Sequence, residues 1–246
     1  HPLAEEIMTK LNKDTEFTYL GHSTFKIKSP GGKTIIIDPW VHNNPACPEN
    51  LKNVDELDIM VLTHAHFDHI GDAVPLGQKH SPKVVGIFET CVWLENRGLA
   101  NTFAMNKGGT QDMDGIKFTM VHADHSCGIL EEDGTISYGG EPVGYIIEFE
   151  NGFRIYHAGD TAVFSDMKLI SEIYKPEVAF IPIGDLYTMS PLEASYACRF
   201  LNVKKVVPMH YGTFPALTGT PDKLRELTKD ISGLEILDIK PGETLS

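Results

Sequence analysis

Residues 63–69 read Thr-His-Ala-His-Phe-Asp-His, "THAHFDH". Three of the chain's eleven histidines, together with an aspartate, fall in this one short loop. Period-two spacing puts His64, His66 and Asp68 on one face of an extended backbone, and His69 follows at once. Neutral imidazole and carboxylate together suit zinc, manganese or iron more than calcium or magnesium. One tight site rarely takes four such side chains. Two adjacent metals use them naturally, with His64 and His66 on one and Asp68 and His69 on the other. The bland alternative is a polar surface loop whose histidines merely hydrogen-bond. That fits a lone histidine better than it fits this cluster.

The loop needs a rigid base, and the chain supplies the same kind of base repeatedly. "DIMVLTH" is an apolar run that ends at His64. "TIIIDP" ends at Asp38, "GFRIYHAGD" at Asp160, "EVAFIPIGD" at Asp185 and "KKVVPMH" at His210. Continuous β-branched runs bounded by turn signals read as strands buried on both faces. Helical patterns lie between them, roughly over 89–97, 163–173, 191–201 and 221–230. Ser190-Pro191 and Thr220-Pro221 each read as an N-cap followed by proline at the first helical position. The opening, "FTYLGHSTFKIKSPGGKTIIID", reads as antiparallel strands. Residues 143–157 read as a hairpin with Asn151-Gly152 at its tip. Mixed sheets with outer helices follow, with the polar strand-end residues gathered along one edge.

Composition narrows the partners. A chain of 246 residues, 41% hydrophobic, has enough apolar surface for a large core. A net charge of −13 disfavours non-specific binding to nucleic acid or anionic membranes. No apolar run reaches the ~18 residues of a membrane span, and the N-terminal stretch "HPLAEEIMTKLNKD" lacks the apolar core of a signal peptide. Cys47, Cys91, Cys127 and Cys198 are scattered, without a Cys-x-x-Cys pair. A reduced, cytoplasmic protein acting on a small-molecule substrate is the expectation. No pattern encodes the oligomeric state.

The loop "THAHFDH" resembles the His-x-His-x-Asp-His signature of the metallo-β-lactamase superfamily. The resemblance implies an α/β fold, an αββα sandwich of two mixed β-sheets with outer helices, and a di-metal hydrolytic centre. "YLGHSTFKI", "IIIDPW" and Asn44-Pro45 resemble the opening of a subgroup of small metal-dependent hydrolases that is similar to sugar-lactonase-like and phospholipase-D-like enzymes. The similarity runs from about Phe17 to Ile239. It leaves residues 1–16 as an N-terminal extension on a single domain, 17–246. The stretch "VHNNPACPEN", with His42, is more polar than the subgroup pattern.

The resemblance also implies the remaining ligands. In "FTMVHADHSCG" it selects His125 over His122, in "YHAGDT" it selects Asp160 as a bridging ligand, and in "VVPMHYGTF" it selects His210. His64, His66 and His125 then hold the first metal. Asp68, His69 and His210 hold the second, with Asp160 between them. The implied cofactor is two divalent ions, zinc first, with manganese, iron and nickel as alternatives. A hydroxide bridging them is the implied nucleophile, and Asp68 is the acid–base residue. His22, His157 and Tyr211 are near-site candidates, and Asp38 is expected to orient a ligand histidine. A phosphodiester is the expected substrate, with an ester or lactone as the alternative. A metal-binding protein without turnover and a redox di-iron protein are the other classes. The first conflicts with the complete ligand set. The second conflicts with histidine at position 66 and the absence of room for a flavin domain.

Overall fold

The computed structural model describes residue 11 and residues 13–246. The extension expected over residues 1–16 therefore lies mostly outside the described residues. The first sheet carries β1 (Glu16–Tyr19), β2 (Phe25–Lys28), β3 (Thr34–Ile37), β4 (Ile59–Val61), β5 (Lys83–Ile87) and β6 (Thr102–Met105) in chain order. The second carries β7 (Thr110–Met113) and β8 (Ile116–His122) at one side. A small separate hairpin comes next in the chain, β9 (Gly128–Leu130) with β10 (Ile136–Tyr138). The second sheet then continues with β11 (Val143–Glu148), β12 (Arg154–His157), β13 (Val178–Pro182), β14 (Lys205–Met209) and β15 (Glu235–Ile236). Finally β16 (Thr244–Leu245) returns to pair with β1 in the first sheet.

Both sheets are mixed, as the sequence predicts. β1, β2 and β3 are antiparallel, whereas β3 to β6 run parallel. In the second sheet β7, β8, β11 and β12 are antiparallel, whereas β12 to β15 run parallel. The predicted hairpin is the β11–β12 pair, in register from Glu148 opposite Arg154.

The helices cover the outer faces, giving the expected αββα layers. They are α1 (Phe67–Ile70), α2 (Ala73–His80), α3 (Phe88–Glu95), α4 (Met167–Tyr174), α5 (Pro191–Leu201) and α6 (Pro221–Thr228). The main core lies between the sheets. Phe180 of the second sheet packs on Phe17 and Phe25 of the first, with ring centroids 5.2 and 4.9 Å apart. A second apolar cluster joins the outer face of the second sheet, through Ala179 and Ile181, to Met167, Ile170, Ala194 and Ala197 of α4 and α5. All four cysteines are free and buried.

Strand direction decides where the chemistry falls. β1 and β3 point the same way, and β4 is parallel to β3. β8 and β12 likewise share a direction with β13 and β14. The segments leaving the C-terminal ends of these strands carry His22, Asp38, His64, His125, Asp160, Asp185 and His210. Parallel packing thus converts a repeated sequence pattern into one functional edge.

Candidate metal centre

The seven expected ligands are contributed by both sheets. His64, His66, Asp68 and His69 come from the segment after β4, the last two on the single turn α1. His125, Asp160 and His210 follow β8, β12 and β14. Asp160 is at the middle. Its Oδ2 lies 3.0 Å from the Nε2 atoms of His69 and His210, 3.5 Å from that of His64 and 3.7 Å from that of His125. Donor atoms about 3.4 Å apart are what a tetrahedral ion with ~2.1 Å bonds requires. The rings of His64, His66 and His125 form a triangle with centroid separations of 4.6, 5.1 and 5.0 Å. Asp68 Oδ2 lies 3.5 Å from Nε2 of both His69 and His210. Donor atoms of His64, His66 and His125 come close enough together to hold one ion, and those of His22, Asp68, His69 and His210 to hold another.

The supporting hydrogen bonds fix how these rings face. Asp38, fully buried at the end of β3, accepts from the Thr63 backbone N–H at 2.8 Å and the Thr63 hydroxyl at 2.6 Å. With its proton committed to Asp38, the Thr63 hydroxyl accepts from His64 Nδ1, 2.9 Å away. His69 Nδ1 donates to Asp38 Oδ2 at 2.7 Å. When either ring is neutral, as metal binding requires, its proton sits on Nδ1 and the Nε2 lone pair is free. His64 Nε2, His69 Nε2 and Asp160 Oδ1 are buried without any hydrogen-bond partner. Buried polar atoms are rarely left so, and three unmatched atoms on side chains of one cluster fit a divalent cation.

Protonation agrees. Burial first, then neighbouring His69, pushes His64 and His66 down, so both are neutral ligands near neutral pH. Burial also lowers His125. Burial opposes ionisation of Asp68 and Asp160. His69 beside Asp68, and His210 and His69 beside Asp160, nevertheless hold both carboxyls well below the usual range. Burial likewise opposes protonation of His69 and His210, but Asp160 outweighs it and raises both, His210 to about 9. Those two protons stand where a cation would neutralise the carboxylates.

Residues outside the seven separate clearly. His122 ends β8 on the exposed face, 3.4 Å from Lys107 Nζ and against the Phe164 ring. His22 is buried, with Nε2 2.7 Å from Asp68 Oδ2 and Nδ1 2.8 Å from Thr213 Oγ1. An ionised Asp68 can only accept, so His22 donates from Nε2 and accepts the Thr213 hydroxyl proton at Nδ1. His157 lies in the core beside Phe25 and Phe180. Tyr211 turns away and donates to Asp238 at 3.1 Å. Asp185 is exposed and caps its own loop through the Leu186 N–H. His42 is exposed. Thr63 and Thr213 escape sequence reasoning, because no spacing distinguishes a hydroxyl that orients an imidazole. Ser126, the serine of the His-Ser pair by which the resemblance selects His125, lies 3.1 Å from His66 Nε2.

A sequence profile described as the beta-lactamase superfamily domain matches residues 16–210. The chain is 53% identical over 231 residues to a UPF0173 metal-dependent hydrolase of Koribacter versatilis, covering 94% of this chain and 97% of the relative. A UPF0173 metal-dependent hydrolase of Rubrobacter xylanophilus is 50% identical over 232 residues, covering 94% and 96%. Among solved structures, a metallo hydrolase from the archaeon Ignicoccus hospitalis is 36% identical. It superposes with a TM-score of 0.81 over 94% of this chain and 97% of that one.

Proposed function

The chain belongs to the metallo-β-lactamase superfamily and is a metal-dependent hydrolase, and from that premise we propose that it cleaves an ester-type bond at a two-metal centre held by its own seven side chains. His64, His66 and His125 would hold one ion, and Asp68, His69 and His210 the other, with Asp160 shared. Zinc is the first choice for this nitrogen-rich set, with manganese, iron or nickel as alternatives. The observation that carries the reading is Asp160 Oδ2 among four imidazole Nε2 atoms, two of them buried without a hydrogen-bond partner. The hydrolase is read as a single domain from residue 17 onward with residues 1–16 as an extension to it, although β1 starts one residue earlier, at Glu16.

When bound, two divalent ions would supply Lewis acidity toward the carbonyl or phosphoryl oxygen of the group under attack and bring the pKa of a water down to roughly 7. The chain's own part is proton handling and alignment. Asp68 takes the proton from the attacking water and returns it to the leaving group. His22 donates to Asp68 Oδ2 and so fixes which carboxylate oxygen stays free. Asp38 and Thr63 hold His64 and His69 in the ligating tautomer.

A phosphodiester, the sequence-based expectation, suits two metals because attacking and leaving oxygens are both held. The surrounding charge favours the alternative, an ester or lactone. The strand-end segments 20–24, 38–46, 62–74, 122–128, 157–164, 182–190 and 209–219 contain no lysine or arginine. Lys107, near His122, is occupied by Glu141 at 2.6 Å. Asp38, Asp68 and Asp160 offset most of the charge of two divalent ions, leaving little to bind an anion.

Elemental analysis of the purified protein, after incubation with excess zinc or manganese, tests the centre. Two ions per chain are expected. His125→Ala should lose metal and hydrolysis together, and His122→Ala should keep both. One tightly bound ion, or the reverse behaviour of the two variants, would overturn the assignment.

A further inference from the structure

Beside the candidate second-metal group stands an apolar wall that the hydrolytic chemistry does not require. His22, which touches Asp68, is packed edge-on against Trp40 at 5.2 Å and against Phe214 at 6.0 Å between ring centroids. Trp40 in turn meets Phe67 at 5.9 Å and Phe214 at 6.1 Å. Trp40 is buried, but Phe67 is 57% exposed although it sits between His66 and Asp68 in the ligand loop. Its neighbours in sequence turn inward while its ring lies at the surface. Trp40 reaches this place because Gly71 has no side chain: a Cβ there would lie 2.7 Å from Trp40 Cδ1.

A second exposed apolar group lies on a loop tied to the segment that carries Asp160. The loop after β13 is fastened to the residue following Asp160 by a Met189 N–H bond to Thr161 O at 3.1 Å. Leu186 and Tyr187 in that loop are 61% and 65% exposed. Leu186 has φ +60°, a left-handed backbone that a branched residue without special reason avoids. The Asp185 side chain holds it there through the Leu186 N–H at 2.7 Å. Exposed apolar side chains on two loops of one cation-free edge mark a surface built to bury an apolar partner.

We propose that Trp40, Phe67 and Phe214, with Leu186 and Tyr187 on the loop tied to Thr161, form the specificity surface for an uncharged ester or lactone carrying an apolar group of several carbons. The proposal rests on the hydrolytic reading above and narrows its substrate class. Water attacks the carbonyl carbon, the bond to the leaving oxygen breaks, and that oxygen takes up a proton. The products are a carboxylate and an alcohol, or a hydroxy acid from a lactone. The products are thus more polar than the substrate and leave an apolar surface readily.

The test uses metal-loaded protein and p-nitrophenyl acetate, butyrate and hexanoate. p-Nitrophenyl hemisuccinate is the charged match to butyrate, and bis(p-nitrophenyl) phosphate the phosphodiester. kcat/KM should climb about three- to fourfold per added methylene until the surface is covered. Hemisuccinate should be at least roughly tenfold slower than butyrate, since its carboxylate meets no cation. Phe67→Ala and Phe214→Ala should flatten the climb while metal content stays at the wild-type value. Trp40 emission, isolated by Trp93→Phe, should be quenched by 4-phenyl-2-butanone, and less so once Phe67→Ala is added. A flat ester series, hemisuccinate matching butyrate, or a climb that survives both substitutions would overturn the proposal. Hydrolysis of the phosphodiester alone would overturn it while leaving the two-metal hydrolase standing. No hydrolysis of any of these by protein carrying two ions would remove both.

Discussion

Asp68 is the one carboxylate among the imidazoles of its loop, and its surroundings explain why a carboxylate is needed. Its Oδ2 receives His22 at 2.7 Å and lies 3.5 Å from His69 and His210. Asp68→Asn keeps the shape and an oxygen for His22 but loses charge and basicity. The proposed first-metal group, His64, His66 and His125, is untouched. Turnover at saturating metal should fall by at least the ~100-fold typical of a lost acid–base group. Near wild-type turnover under those conditions would take Asp68 out of the mechanism. His157 makes the opposite case. It stands three residues before Asp160 and reads from sequence as a near-site candidate, yet it is a core residue. Burial pushes it down to about 4 from an ordinary 6.5. A lowered histidine leaves the unfolded chain binding more protons, so its contribution to stability is complete above pH ~6.5 and is lost as pH falls toward 4. At most about 3 kcal/mol is at stake. Urea midpoints of metal-free protein between pH 7 and 4.5 should therefore decline less steeply for His157→Asn than for wild type. Parallel declines would exclude His157 as a source.

At the scale of elements, the two capped helices give a clean stability measurement away from the candidate metal centre. Ser190 Oγ accepts the Glu193 N–H at 3.3 Å and Thr220 Oγ1 accepts the Lys223 N–H at 3.2 Å, each followed by proline. Ser190→Ala and Thr220→Ala should each cost about 1 kcal/mol in chemical denaturation and leave metal content unchanged. An unchanged midpoint for both would mean that the helix ends are held by packing alone. These starts were legible because Ser-Pro and Thr-Pro are local signals. α2 was not, since Pro75 and Gly77 break its pattern. Proline is tolerated there in the first turn, where its missing N–H has no partner to lose. Gly77 is needed because Leu99 fills the space, with Cδ2 2.5 Å from where a Cβ would be. That contact is tertiary and leaves no trace in spacing. The β9–β10 hairpin turns through Asp133-Gly134, a hairpin signal in the sequence. The helix read over 163–173 begins only at Met167, because Ala162 is tied to Asp124 O and Met189 to Thr161 O. The candidate metal loop was legible for a different reason. Its spacing is short-range, and the candidate ligands follow strands whose apolar runs are themselves visible. The choice of His125 over His122 needed the family resemblance, since spacing alone cannot say which side of β8 faces the partner sheet.

At the scale of the molecule, the proposed centre joins two halves that otherwise meet through apolar packing and a few hydrogen bonds. His64, His66, Asp68 and His69 leave the first sheet, whereas His125, Asp160 and His210 leave the second. Direct polar ties at this edge include the His210 N–H to His22 O at 2.8 Å, the Val143 N–H to Thr63 O at 2.9 Å and the Tyr145 hydroxyl to Leu62 O at 2.7 Å. Ions bound between the sheets add to the folded state alone, because the unfolded chain does not hold these donors together. At a free metal concentration of 100 times Kd, each site stabilises by about 2.7 kcal/mol, so two sites give roughly 5 kcal/mol. For a domain of this size, 1 kcal/mol corresponds to about 2–4 °C in Tm. Chelation should therefore lower Tm by about 10 °C or more, and re-addition of metal should restore it. His125→Ala, lacking one first-metal ligand, should show a smaller drop on chelation, because part of the stabilisation is already gone. Asp68→Asn should fall between it and wild type, since one ligand oxygen remains. The metal-free protein should still unfold cooperatively, because the packing of Phe17, Phe25 and Phe180 does not depend on the ions. A Tm indifferent to chelation, in protein shown by elemental analysis to have carried two ions, would mean that the unfolded chain holds the ions as well as the folded one does. The seven residues would then not be acting as a single set.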